Sequence, residues 1–225
     1  MLRQLFDATS SAFTYLLVDP VTREAALIDP VREQLERDVS LVRELGLTLR
    51  YSLETHVHAD HVTSAAAIRE RTGAKLVAGA MGASCADLHL QGGESLALGA
   101  FSIRALATPG HTDDSLSYLC ADHVFTGDAL LVRTCGRTDF QNGDPGALFD
   151  SITQVLFALD EETVVCPAHD YVGFTTSTIG EEKRWNSRAA GRTRDEFITL
   201  MRGLQLPEPK LIHEAVPLNR ACGQP

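Results

Sequence analysis

The sequence predicts an α+β protein built as a four-layer αββα sandwich. Three observations lead there. Short strand-like runs recur along the whole chain, and helical stripes are interspersed among them. Side chains suited to metal binding follow directly on strand ends, where the loops of such a sandwich converge on one edge.

The elements follow in order. Residues 14–18 and 25–28 are short apolar runs separated by an Asp19-Pro20 turn, so they predict a hairpin. Leu35, Val39, Val42 and Leu45 fall on one helical stripe, which Gly46 ends. Residues 49–53 form the next strand. An alanine-rich helix over 64–72 is stopped by Gly73, and 75–78 is a strand. Residues 94–98 and 101–106 predict a hairpin around Gly99-Ala100, and 116–120 with 123–126 predict another. Leu148, Ile152, Val155, Leu156 and Leu159 mark a strong helical stripe, and residues 163–166 are a last strand. Helices are expected over 180–190 and 193–204, followed by an extended, proline-spaced tail.

The 225 residues suit one large domain or two small ones. We expect a single domain over 1–225, with a short helical C-terminal extension from about residue 180. An apolar fraction of 44% supplies a substantial core. The net charge of −10 argues against gripping nucleic acid through a general basic surface. No apolar run approaches a membrane span. The five cysteines are odd in number and show no Cys-x-x-Cys spacing, which predicts reduced thiols rather than a disulfide framework. The N-terminus lacks both a secretory core and an arginine-rich presequence. A bacterial cytoplasmic location is therefore expected, although a processed form from the mitochondrial matrix would read the same.

The run His56-Val57-His58-Ala59-Asp60-His61 carries four potential metal ligands just past a strand. Imidazole and carboxylate suit first-row metals, and burying several of them is costly unless they are paired or bound. Three later turns repeat the arrangement: Thr108-Pro109-Gly110-His111, Phe125-Thr126-Gly127-Asp128 and Pro167-Ala168-His169-Asp170. Singly, His111 reads as a turn histidine, Asp128 as a turn carboxylate and His169 as a satisfied histidine. Together with the opening run they predict that all seven side chains meet at one edge. His89, His123 and His213 lack such a context and read as surface or packing residues.

This combination resembles the metallo-β-lactamase superfamily, whose αββα sandwich holds metal at one edge. Most members are zinc hydrolases, so membership alone does not settle the reaction. Further segments narrow it: Cys135-Gly136-Arg137-Thr138-Asp139-Phe140-Gln141, Pro167-Ala168-His169-Asp170-Tyr171, residues 177–183, Phe13-Thr14-Tyr15-Leu16 and Ala215-Val216-Pro217-Leu218-Asn219. They are similar to the glutathione persulfide dioxygenases, the ethylmalonic-encephalopathy protein family. The glyoxalase II thioesterases share Cys-Gly-Arg but typically continue Phe-Phe-Glu-Gly, where Thr138-Asp139-Phe140-Gln141 stands here.

The resemblance implies one Fe(II) per chain, held by His56, His111 and Asp128 alone. Two histidines and one carboxylate leave coordination positions open, as ferrous oxygenases require. His58, Asp60, His61, His169 and Asp139 are then expected to orient the ligands through hydrogen bonds. The implied reaction is oxidation of glutathione persulfide by O2 to sulfite and glutathione. Arg137 is the candidate for a glutathione carboxylate, with a salt bridge to Asp139 as its structural alternative. Tyr171 is a candidate neighbour of the persulfide. Lys183, with Arg184 and Arg188, can hold a second carboxylate or form a solvated face. Cys135 is expected to be structural. The resemblance also implies a homodimer. The competing reading is a binuclear zinc hydroxyacylglutathione hydrolase, with all seven ligands on metal and a metal-bound hydroxide attacking a thioester. A non-catalytic metal- or glutathione-binding module is the third, and no ligand position is missing to support it.

Overall fold

The computed structural model describes residues 1–224 and divides the chain into two compact units. The first comprises Met1–Leu90, Ser95–Ile103 and the C-terminal residues from Glu208 onward. Its sheet runs in the order β1 (Leu2–Asp7), β2 (Ala12–Val18), β3 (Glu24–Ile28), β4 (Thr48–Leu53), β5 (Lys75–Gly79) and β6 (Leu88–Leu90). β1 to β3 form an antiparallel meander, whereas β3 to β6 are parallel. Parallel neighbours need a crossover. Two are supplied by α1 (Leu35–Glu44) and α2 (Ala65–Thr72). The α1 stripe buries Val42 against Leu16, Val18, Leu27, Leu49 and Ile68. Every residue of β2 is buried, which explains why it reads as continuous apolar sequence rather than an alternation. Gly73 caps α2 at φ +75°, a left-handed conformation that glycine adopts without steric penalty. A short strand, β7 (Ser95–Leu98), also belongs to this unit.

The second unit comprises Gln91–Glu94 and Arg104–Pro207. Its strands are ordered β12 (Ser177–Thr178), β11 (Val164–Pro167), β10 (His123–Gly127), β9 (Leu116–Cys120) and β8 (Phe101–Ala107). The parallel β10–β11 pair is bridged by a helical crossover. That crossover starts at α3 (Pro145–Asp150) and continues as a wider helical turn through Leu156. The Asp144 side chain caps α3 by accepting from the Ala147 N–H at 2.6 Å. Leu148, Ile152 and Leu156 from the predicted stripe pack with Val124, Leu130, Val165 and Phe197. α4 (Ile179–Trp185) and α5 (Arg194–Arg202) complete the unit.

Four sequence expectations are corrected. The N-terminal residues form β1, which pairs antiparallel with β2, whereas the sequence pattern predicts a strand only from residue 14. The helix expected over 180–190 stops at Trp185, because Asn186 turns extended and its amide donates to Thr134 O and Glu182 Oε2. The tail is not extended throughout. Residues Ile212–Arg220 form α6, in spite of Pro217 inside it. Nor are all thiols reduced: Cys85 and Cys222 are joined as a disulfide across 137 residues. Only the return of the C-terminal segment to the first unit brings their Cα atoms to 6.1 Å, a proximity that local spacing cannot reveal. Cys120, Cys135 and Cys166 are free and buried. Among the described residues no helix is long and apolar enough to cross a membrane.

Candidate metal centre

In the first unit, β4 delivers the histidine run. Its leading residue, Thr55, is buried and doubly tied to Asp29 at the end of β3. The Thr55 N–H donates to Asp29 Oδ1 at 2.7 Å, and its hydroxyl donates to Asp29 Oδ2 at 2.8 Å. With that hydroxyl proton spent, Thr55 Oγ1 accepts from His56 Nδ1 at 3.0 Å. His56 is thereby set in the tautomer whose Nε2 lone pair is available to a metal. His58 is fully buried, with Nε2 3.2 Å from Asp29 Oδ1 and 3.6 Å from Glu54 Oε2. Burial works against its charge, but Asp29, Glu54 and Asp60 outweigh that and push its pKa up to about 9. Asp60 Oδ2 holds His61 Nδ1 at 3.0 Å. His58, Asp60 and His61 bring donor atoms within 4.8 Å of one another, as do Asp29, Glu54 and His58.

In the second unit, three turns converge. His111 follows Gly110, which has φ +134° and lies so close to the start of α3 that a Cβ would meet Leu148 N at 2.2 Å. His111 Nδ1 donates to Arg137 O at 2.7 Å, and this again leaves Nε2 for a metal. Asp128 follows β10. Its Oδ1 accepts from His169 Nδ1 at 2.7 Å, while its Oδ2 lies 3.5 Å from His111 Nε2. The two ligand atoms His111 Nε2 and Asp128 Oδ2 thus face one another, each fixed by a bond at its far side. His169, buried after β11, acts on Asp128 through Nδ1, and its ring stacks on Tyr171 at 5.7 Å.

The Cys135-Gly136-Arg137 loop passes directly over this pair. α4 and the turn after it clamp the loop: Glu182 accepts from the Arg133 N–H and pairs with its guanidinium. Arg188 Nη1 donates to Cys135 O at 2.6 Å. Burial pushes the Cys135 thiol up to about 11, which fits the structural part expected of it. Arg137 makes a bidentate pair with Asp139 at 2.6 and 2.7 Å, donates to Pro207 O and covers the ring of Phe140. Hydrogen bonds from Arg137 hold the Asp139 carboxyl below its ordinary value. Lys183 lies 3.7 Å from Glu161. His213 pairs with Glu208 and His123 with Asp122, both outside the cluster as expected. Asp29 and Thr55 were not singled out by sequence; Arg188 was, as part of a basic stretch, but it donates to Cys135 O in the loop. The signal for Asp29 was its place at a strand end, shared with the other turns.

A family profile described as the metallo-beta-lactamase superfamily matches residues 9–84 and 86–169. The human mitochondrial persulfide dioxygenase ETHE1 is 45% identical over 226 residues, covering 99% of this chain and 89% of the human protein. The chain belongs to the persulfide dioxygenase family of the metallo-β-lactamase superfamily. The crystal structure of ETHE1 from Myxococcus xanthus is 57% identical and covers both chains completely, with a TM-score of 0.98. A more distant relative, TTHA1623, solved in a di-iron-bound form, is 26% identical over 82% of this chain and 98% of its own, at a TM-score of 0.69. The chain therefore has the metallo-β-lactamase fold, with mixed α and β content and two sheets, as its sequence predicted. Its place among the persulfide dioxygenases makes it an oxidoreductase, and the zinc thioesterase alternative is not favoured.

Proposed function

We propose that the protein holds one ferrous iron through His56, His111 and Asp128 and oxidises glutathione persulfide with O2 to sulfite and glutathione. The observation that carries this reading is the near full-length match to persulfide dioxygenases from human and Myxococcus xanthus. The donor chemistry fits: two imidazoles and one carboxylate are donor types that suit ferrous iron and leave coordination positions open. Both histidines have Nδ1 engaged, by Thr55 and by Arg137 O, so both present Nε2. Bound ferrous iron would supply the redox chemistry with dioxygen and a place for the persulfide sulfur.

The chain's own groups do the rest. His169 holds Asp128 Oδ1 and turns Oδ2 toward the ligand position. His58, Asp60 and His61 brace the run through Asp29 and one another. Tyr171, 67% exposed beside His169, would offer its hydroxyl to the persulfide. Arg137 would take a glutathione carboxylate by exchanging it for Asp139, and Lys183 would take another in place of Glu161. We further propose a homodimer and a bacterial cytoplasmic setting. A mitochondrial matrix location would match the mammalian relatives.

Metal analysis and two assays on one sample test this reading. One iron per chain, rapid oxygen uptake with glutathione persulfide and negligible hydrolysis of S-lactoylglutathione are expected. Two zinc ions per chain with fast thioester hydrolysis would overturn it. Asp128→Ala is expected to lose the iron and the oxygen uptake together.

A further inference from the structure

The buried amide of Asn219, near the end of α6, has no part in the site described above, yet two of its three hydrogen bonds go to the backbone of the histidine run and the third to Thr63 just beyond it. Its Nδ2 donates to His58 O at 2.9 Å and to His61 O at 2.8 Å, and its Oδ1 accepts from the Thr63 N–H at 2.8 Å. Asn219 is 4% exposed. A buried amide is unfavourable unless satisfied, and this one is satisfied entirely by main-chain groups of a single six-residue stretch, residues 58–63. The stretch is gripped at its leading end by Asp29 through Thr55, and at its trailing end by Asn219.

The grip itself is anchored. Three residues beyond Asn219, Cys222 is bonded to Cys85. The Cys222 carbonyl accepts from the Ala66 N–H at 3.1 Å, at the start of α2. Gly223 then passes so close that a Cβ would meet Thr63 O at 2.1 Å. The C-terminal segment is therefore laid against residues 58–66 with its amide facing their carbonyls, and the disulfide prevents it from peeling away.

We propose that Asn219 is a positioning residue for the metal-binding histidine run and that the Cys85–Cys222 disulfide holds it in register. By fixing the carbonyls of His58 and His61, it limits the rotation of the backbone that carries His56, and so sets how well the His56 imidazole meets the iron. The inference rests on the iron site proposed above, and the test separates the two.

The readouts are the Fe(II) dissociation constant and the electron paramagnetic resonance spectrum of the nitric oxide adduct, with circular dichroism confirming the fold. His56→Ala is the control for the site itself. Asn219→Ala removes the clamp. Asn219→Asp keeps the volume and the acceptor for Thr63, but it sets a carboxylate oxygen against the carbonyls of His58 and His61. Both are expected to weaken iron binding about tenfold, as loss of groups that orient ligands does, and to broaden the nitrosyl spectrum. Cys85→Ala, which leaves Asn219 in place, is expected to shift both readouts in the same direction by less.

Wild-type affinity and spectrum in both Asn219 variants would overturn the proposal, even with a lowered melting temperature, because Asn219 would then be a structural tie alone. If Asn219→Ala does not fold, Asn219→Asp decides. If neither folds, unchanged iron binding in Cys85→Ala overturns the proposal. Retention of iron by His56→Ala would instead overturn the site, and the inference with it.

Discussion

Gly136 shows how little room the metal-binding residues have. A Cβ there would meet Asp128 O at 2.5 Å, His111 Nδ1 at 2.8 Å and Asp128 Cβ at 3.0 Å. None of these is the free end of a flexible side chain, so Gly136→Ala must displace the Asp128 backbone or the His111 ring. It is expected to lose iron on dialysis under conditions where the wild type retains it, as measured by metal analysis. His169 acts on the same carboxylate from the other side. His169→Ala leaves Asp128 Oδ1 without its imidazole, and iron affinity is expected to fall about tenfold with the fold kept, as checked by competition with a chelator. The identities of His111, Asp128 and His169 as candidate ligands were legible from their turns. Their division of labour came only from the family resemblance, because residue type and spacing do not record which ring nitrogen is already bonded.

Among the elements, legibility followed the periodicity of burial. α1 announces itself because Leu35, Val39, Val42 and Leu45 recur at helical spacing and end at a glycine. α5 has both a stripe and a cap: Thr193 accepts from the Glu196 N–H, and Glu196 Oε2 accepts from the Thr193 N–H at 2.8 Å. Thr193→Ala is expected to destabilise the protein by about 1 kcal/mol in denaturant unfolding, with little change in activity. α6 escaped because its buried positions, Ala215 and Asn219, are one small residue and one polar one, and because Pro217 reads as a helix breaker. Its contribution lies in three hydrogen bonds to the backbone of His58, His61 and Thr63, not in an apolar face.

At the scale of the whole molecule, charge opposes substrate. The chain carries a net charge of −10, and glutathione persulfide is an anion. Long-range repulsion between them is screened by salt. Raising ionic strength is therefore expected to lower the apparent Michaelis constant until the local pairing of carboxylates with Arg137 is itself screened, which steady-state oxygen uptake across a salt series would show. A Michaelis constant that rises from the lowest salt onward would mean that the basic side chains dominate the approach.

The order of its motifs, the chemical type of each candidate ligand, the α+β class and the family were determined by the sequence alone. These properties are local: a periodicity, a turn or a donor atom is complete within a few residues. Tertiary structure decided which nitrogen of each histidine is left for metal, that Arg137 closes on Asp139, that Cys85 meets Cys222, and that Asn219 reaches the histidine run. His111 finds its carbonyl 26 residues away and Asn219 finds His58 across 161. Hydrogen-bond partners at such separations are chosen by the packing of the folded chain, which no local pattern records.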